Sequence, residues 1–162
     1  MKTSFAISAS CTLRLFRELT VAEPISNLEV INAFHAAMEE YFRSGDDSEL
    51  VAMFEPACPV SVPGMPPSIE GMRQALPAFR AALSDVAITL GEVVSSGELI
   101  AYRMSFSGTH SGDFMGVPAT GRKVTMSETH IERIRDGKIV SHTGDIDMLG
   151  LLQQIGAIPA PS

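Results

Sequence analysis

The chain has no apolar run approaching the roughly 18 residues a membrane-spanning helix needs. It is also short of cations. Twelve Lys and Arg stand against 19 Asp and Glu, a formal net charge of −7 over 162 residues. A nucleic-acid backbone and an anionic membrane both attract clustered positive charge, so neither is expected as a partner. Cysteine is scarce as well: Cys11 and Cys58 are too few for a disulfide framework and too isolated for a zinc site. Two reduced thiols in a cytoplasmic protein are the reading that follows. There is no Gly-rich phosphate loop, H-E-x-x-H, paired C-x-x-C or G-x-S-x-G elbow. A nucleotide cofactor, a catalytic metal and a serine hydrolase are therefore unsupported, and neither cofactor nor metal is expected.

What the chain does have is enough apolar material for one core. Hydrophobic residues make up 45% and charged residues 19%, the balance of a single folded domain. Residues 1–25 read as an N-terminal extension that adds little to that core. Lys2 followed by Phe5-Ala6-Ile7 faintly resembles a signal peptide, but the stretch is short and diluted by serine. The domain proper is expected over 26–159. Ser26 or Asn27 caps a helix whose apolar residues Val30, Ile31, Phe34, Met38, Tyr41 and Phe42 recur at helical spacing up to Gly45. A short helix follows from Ser48, then an extended Val60-Ser61-Val62 and a Pro-rich loop. A third helix is expected over Glu70–Leu83, kinked at Pro77.

Beyond Asp85 the apolar period changes to two. Strands are expected over 86–94, 99–108, 123–135 and 138–146, the last two joined by Asp136-Gly137, a strong hairpin signal. A short helix over Met148–Ile155 closes the chain. Helices first and a meander afterwards predict an α+β fold, helices packed on one face of a curved antiparallel sheet.

A two-residue turn at Asp136-Gly137 pairs Arg135 with Lys138 and His130 with Thr143. Glu128, His130, Thr143, Asp145 and Asp147 then share one face, with His142 on the other, opposite Ile131. A histidine with carboxylate neighbours suits proton transfer near neutral pH. A bulge at Gly144 would reverse the facing of Asp145 and Asp147. Spacing alone also fits a structural hydrogen-bond pair, and Arg103 could simply pair with Glu92 or Glu132.

Three segments carry a resemblance to a known family: Gly108–Arg122 (G-T-H-S-G-D-F-M-G-V-P-A-T-G-R), Arg133–Val140 (R-I-R-D-G-K-I-V) and Asp147–Gly156 (D-M-L-G-L-L-Q-Q-I-G). They resemble the SnoaL-like polyketide cyclase, or ester cyclase, family, over roughly residues 27–159. The resemblance implies a cone-shaped nuclear transport factor two-like fold, with helices against a strongly curved sheet, an apolar pocket between them, and dimers formed through the outer sheet face. It implies intramolecular aldol closure of an aromatic polyketide ester without metal or organic cofactor. His130 matches the histidine preceding the R-I-x-D-G-K-I segment, Arg103 an arginine on a helix-facing strand, and Asp147 an aspartate before the closing helix. The acid/base aspartate of such cyclases aligns on Gly144, where His142-Thr143-Gly144 stands for His-Trp-Asp or His-Trp-Glu.

The expectation is a small apolar or polycyclic carbonyl substrate held between the helix at 27–44 and the concave sheet face. The candidate acid/base residues are His130, Asp147 and Asp145, with Asp147 ahead of Asp145. The candidate substrate contacts are Arg103, Tyr41, Phe54, His110 and His142. A non-catalytic binding domain, or an epoxide or ester hydrolase with an Asp-Arg-Asp arrangement, are the competing readings. A homodimer is expected, because Ile131, Val140 and Ile146 would give the outer face an apolar character.

Overall fold

The first helix begins where the sequence offers a reciprocal cap. Ser26 Oγ accepts the Glu29 backbone N–H, and the Glu29 carboxylate accepts the Ser26 N–H. From there α1 (Asn27–Ser44) buries Val30, Ile31, Phe34, His35, Ala37 and Tyr41 along one stripe and ends at Gly45, whose φ of 85° suits glycine. The computed structural model describes residues 26–159. The expected extension at 1–25 lies outside them.

α2 (Ser48–Ala52) and a two-residue strand, β1 (Val60–Ser61), lead to α3 (Ile69–Ala82). α3 runs unbroken through Pro77, so the expected kink does not divide it. Four long strands follow: β2 (Leu83–Ser96), β3 (Leu99–His110), β4 (Lys123–Arg135) and β5 (Lys138–Ile146), and α4 (Met148–Ile155) closes the chain. The sheet order is β1-β5-β4-β3-β2. The meander is antiparallel as expected, but β1 pairs parallel to β5, with Val60 opposite His142, so the sheet is mixed.

Irregular pairing at Ser84/Ala87 and Leu90/Val93 on β2, and at Arg133/Ile134 on β4, interrupts the ladder. Such bulges bend strands and increase their twist, which lets a sheet curl around a core. The inner face carries Ile100, Tyr102, Met104, Phe106, Val124, Met126, Ile134 and Ile139, all buried, and α1 and α3 cover it. α4 is clamped to the start of β4 by Gln154. Its amide accepts the Thr125 N–H and donates to the Thr125 carbonyl, each at 2.8 Å.

The register of the last hairpin departs from a plain two-residue turn. Arg135 faces Lys138 and Ile134 faces Ile139, but Arg133 then faces Ser141. Val140 is the extra residue. The shift brings Glu132 opposite His142, Ile131 opposite Thr143 and His130 opposite Gly144. His142 therefore joins the inner face and Asp145 turns outward, the reverse of the expected arrangement. Ile146 also turns inward, to the cavity wall.

Candidate active site

Three cross-strand rows lie under α1, and Met104, Glu128, His130, His142 and Ile146 from them line a cavity. Ile100, Glu132 and His142 form the first, Tyr102, His130 and Gly144 the second, Met104, Glu128 and Ile146 the third. Strand alternation puts all of them on the inner face. The walls are apolar: Phe34, Met38 and Phe42 from α1, Met72, Leu76 and Phe79 from α3, with Met65, Met104, Phe106 and Met126. The cavity holds about 70 Å³. Five of the lining residues are methionines, side chains that repack readily around a larger guest.

The polar groups are concentrated in those rows. His130 Nε2–H donates to Glu128 Oε2 at 2.9 Å, and both side chains are buried. The His130 ring stacks on Tyr102, centroids 5.3 Å apart and planes 16° from parallel. Tyr102 donates its hydroxyl to Glu132 Oε1 at 3.1 Å. Glu132 is fully buried, and His142 Nδ1 lies 2.8 Å from the same oxygen. That contact falls off the ring's N–H axis, so Nδ1 makes no aligned hydrogen bond. Burial, with the Glu132 charge and hydrogen bond adding, pushes the Tyr102 hydroxyl far up. The hydroxyl is thus a fixed donor.

His35 enters from α1, edge-on to Tyr102 at 5.3 Å, with no partner for Nε2. Burial, with His130 nearby adding to it, pushes His35 down to about 4, which makes it a neutral imidazole near pH 7. Cys58 is free, buried and pushed up to about 11 by burial, so its thiol is no nucleophile at neutral pH.

The profile of the SnoaL-like polyketide cyclases matches residues 32–155. The chain belongs to that family. It is 37% identical over 65 residues to the aklanonic acid methyl ester cyclase DnrD of Streptomyces peucetius, covering 40% of this chain and 45% of that one. It is 41% identical over 49 residues to the nogalonic acid methyl ester cyclase of Streptomyces nogalater, covering 30% and 37%. These matches span less than half of either relative. Among solved structures, IdmH from Streptomyces antibioticus superposes with a TM-score of 0.68 at 33% identity, over 80% of this chain and 97% of that one. TsrD from Streptomyces laurentii gives 0.67 at 29% identity, over 83% and 99%. The nuclear transport factor two-like cone expected for a SnoaL-like chain is the fold found.

Within this SnoaL-like cavity, His130 and His142 line the floor and the other candidates lie elsewhere. Asp147 is exposed and caps α4, accepting the Gly150 N–H at 2.8 Å. Asp145 is exposed on the outer face opposite Thr129, turned there by the Val140 bulge. Arg103 is exposed too, donating to Ser127 Oγ at 2.8 Å. It points away because odd positions of β3 face outward, so the Asp-Arg-Asp arrangement of an epoxide hydrolase is not assembled. His110 is fully buried at the end of β3, 3.0 Å from Thr120 Oγ1, where it pins the loop at 111–121. Tyr41 packs edge-on against Phe42, one layer behind the wall. Phe54 stands edge-on behind Phe34 and His142.

Sequence reasoning placed Glu128 on the right face without ranking it, and missed His35, Tyr102 and Glu132. The signal for the glutamates was present. On β4 the even positions run Val124, Met126, Glu128, His130, Glu132, Ile134, so three ionisable side chains sit in an otherwise apolar inner set. His35 likewise falls between Ile31 and Met38 on the buried stripe of α1.

Gly144 has a steric role. A Cβ there would lie 2.6 Å from both Cε1 and Nδ1 of His130. Gly144→Ala is expected to displace the ring from Tyr102 and Glu128 and to cost about 1–3 kcal/mol. Chemical denaturation and the His130 ring resonances check this, and an unshifted ring would refute it.

His35 generates a second expectation. Its folded value of about 4 lies below its ordinary 6.5, so as pH falls the unfolded chain takes up the proton first. Stability falls from about pH 6.5 to about pH 4, by up to about 3 kcal/mol from this group, and no further below. His35→Phe removes that component. Urea unfolding of both proteins at about pH 7 and about pH 4.5 measures it, and equal pH dependence would count against the assignment.

Proposed function

We propose that this SnoaL-like chain catalyses proton transfer on an apolar carbonyl compound, closing a ring by intramolecular aldol addition in a polyketide ester. The observation that carries the reading is the Glu128–His130 pair, 2.9 Å apart and buried on the wall of an otherwise apolar cavity. The names of the relatives, methyl ester cyclases, point to the same substrate class.

The chemistry asked of the site is modest. A base takes the proton alpha to a carbonyl. The resulting carbanion forms a carbon–carbon bond to a second carbonyl carbon, and that oxygen takes up a proton, so nothing leaves. Glu128 serves as the base, oriented by the His130 N–H. His142 and the neutral His35, both on the cavity wall, are available to the oxygens. The apolar walls fold the flexible substrate into reacting range. A multi-ring ester exceeds the cavity as it stands, so the methionine walls must open to admit it.

The test is turnover of aklanonic acid methyl ester by the full chain. Glu128→Gln and His130→Ala should each lower it by about 100-fold or more. Asp147→Ala should cost about 1 kcal/mol of stability through its cap and leave turnover near wild type. Unchanged turnover in both site variants would favour a non-catalytic binding domain.

The chain is further proposed to act as a cytoplasmic homodimer. Val94, Ala101, Ile131 and Thr143 form one row across the outer sheet face, and Val94 and Ile131 are 71% and 47% exposed. An isologous pairing would cover them. Sedimentation at micromolar concentration should give twice the chain mass, and a monomer would refute the pairing. Among the described residues, no helix is long and apolar enough to cross a membrane.

A further inference from the structure

We propose that His130, His142 and Glu132 form a binding site for a divalent transition-metal ion, zinc foremost, at the floor of the cavity. One ligand atom from each lies within 4.8 Å of the other two, and all three residues are buried. The measured approaches to Glu132 Oε1 are 2.8 Å from His142 Nδ1 and 4.0 Å from His130 Nδ1. Ligand atoms around a tetrahedral zinc sit about 3.4 Å apart, so the closer pair would open and the wider pair close by about 0.6 Å each to share an ion.

Three observations favour an ion over a network of protons. First, His130 Nδ1, His142 Nδ1 and Glu132 Oε2 all lack a hydrogen-bond partner, though burial makes an unmade bond costly. His142 Nδ1 and Glu132 Oε1 are close yet misaligned, as two ligands aimed at a common point would be. Second, the far ring nitrogen of His130 is already committed. His130 Nε2–H is held by Glu128, and Glu132 Oε1, which accepts from Tyr102, keeps a second lone pair. A carboxylate on the far nitrogen fixes the ring tautomer and leaves Nδ1 as a lone pair, the usual support of a metal-bound histidine. Gly144 keeps any side chain from crowding that edge of the ring.

The third observation is the lining. Among the described residues it includes His35, Glu128, His130 and His142 and no Lys or Arg. Two imidazoles and a carboxylate are a donor set for zinc or iron(II). Since His130 and His142 both line the cavity, an open coordination position would face the bound carbonyl compound. Metal binding does not depend on the cyclisation reading.

The experiment is titration of the full-length, untagged, chelator-stripped chain with Zn²⁺ by calorimetry and with Co²⁺ by visible absorption. One ion per chain is expected, with micromolar or tighter affinity and a ligand-field band for Co²⁺. His142→Ala should weaken binding by more than about 10-fold, whereas Cys11→Ser/Cys58→Ser should leave it intact. No saturable binding, or binding indifferent to His142→Ala, would overturn the site. Should that variant not fold, imidazole ¹⁵N shifts of the wild type on adding Zn²⁺ decide. Changes at Nδ1 of His130 and His142 support the site, and unchanged shifts overturn it. Turnover that depends on Glu128 in a chain that binds no metal would remove the metal site and keep the cyclisation reading.

Discussion

One extra residue in the last hairpin governs the chemistry of the cavity. Side chains alternate along a strand, so a single-residue shift in pairing exchanges the two faces relative to the partner. Val140 supplies that shift between the Ile134–Ile139 and Arg133–Ser141 pairs. Without it, His142 would face Ile131 and lie outside, and Asp145 would lie within. With it, Glu132 meets His142, His130 meets Gly144, and the inner face gains a second histidine while losing an aspartate. The bulge also adds local twist beside the site.

Burying this many polar groups under methionine and phenylalanine walls is costly unless each finds a partner. Much of the cost is offset in pairs: Glu128 with His130, Tyr102 with Glu132, and the stacked faces of Tyr102 and His130. The offset is incomplete: Nδ1 of His130 and of His142, Nε2 of His35 and the second Glu132 oxygen have no hydrogen-bond partner. Incomplete satisfaction of a buried network is unusual in a purely structural core.

The elements were legible in the sequence because each is fixed locally. The α1 cap, Gly45, the Asp136-Gly137 turn and the change of apolar period near Asp85 all place a boundary within a few residues of where it falls. The facing of individual side chains was legible only where no bulge intervened. On β4 it was right for Glu128 and His130; on β5 it was wrong for His142 and Asp145. A bulge at a valine in a V-S-H-T run has no sequence signal comparable to a turn glycine. Asp147 carried the wrong role for a different reason. A carboxylate just before an apolar helical run is a cap as readily as an acid, and its bond to the Gly150 N–H is the cap. Arg103 was misplaced because resemblance transfers a residue type and not the face it occupies.

The relation between Gly144 and His130 explains why the carboxylates of this floor sit where they do. In the pattern the sequence resembles, the acid occupies position 144 on β5. Here a Cβ at that position would overlap the His130 ring edge at 2.6 Å, so this ring pose and a side chain at 144 exclude each other. A chain that keeps the pose must take its carboxylates from elsewhere. Along β4 the residues two before and two after His130 share its face, and both are glutamates. Glu128 holds one ring nitrogen; Glu132 approaches the other and reaches His142 besides. The two buried carboxylates beside the ring thus come from β4 and none from position 144, with the histidine ring as the fixed piece between Glu128 and Glu132.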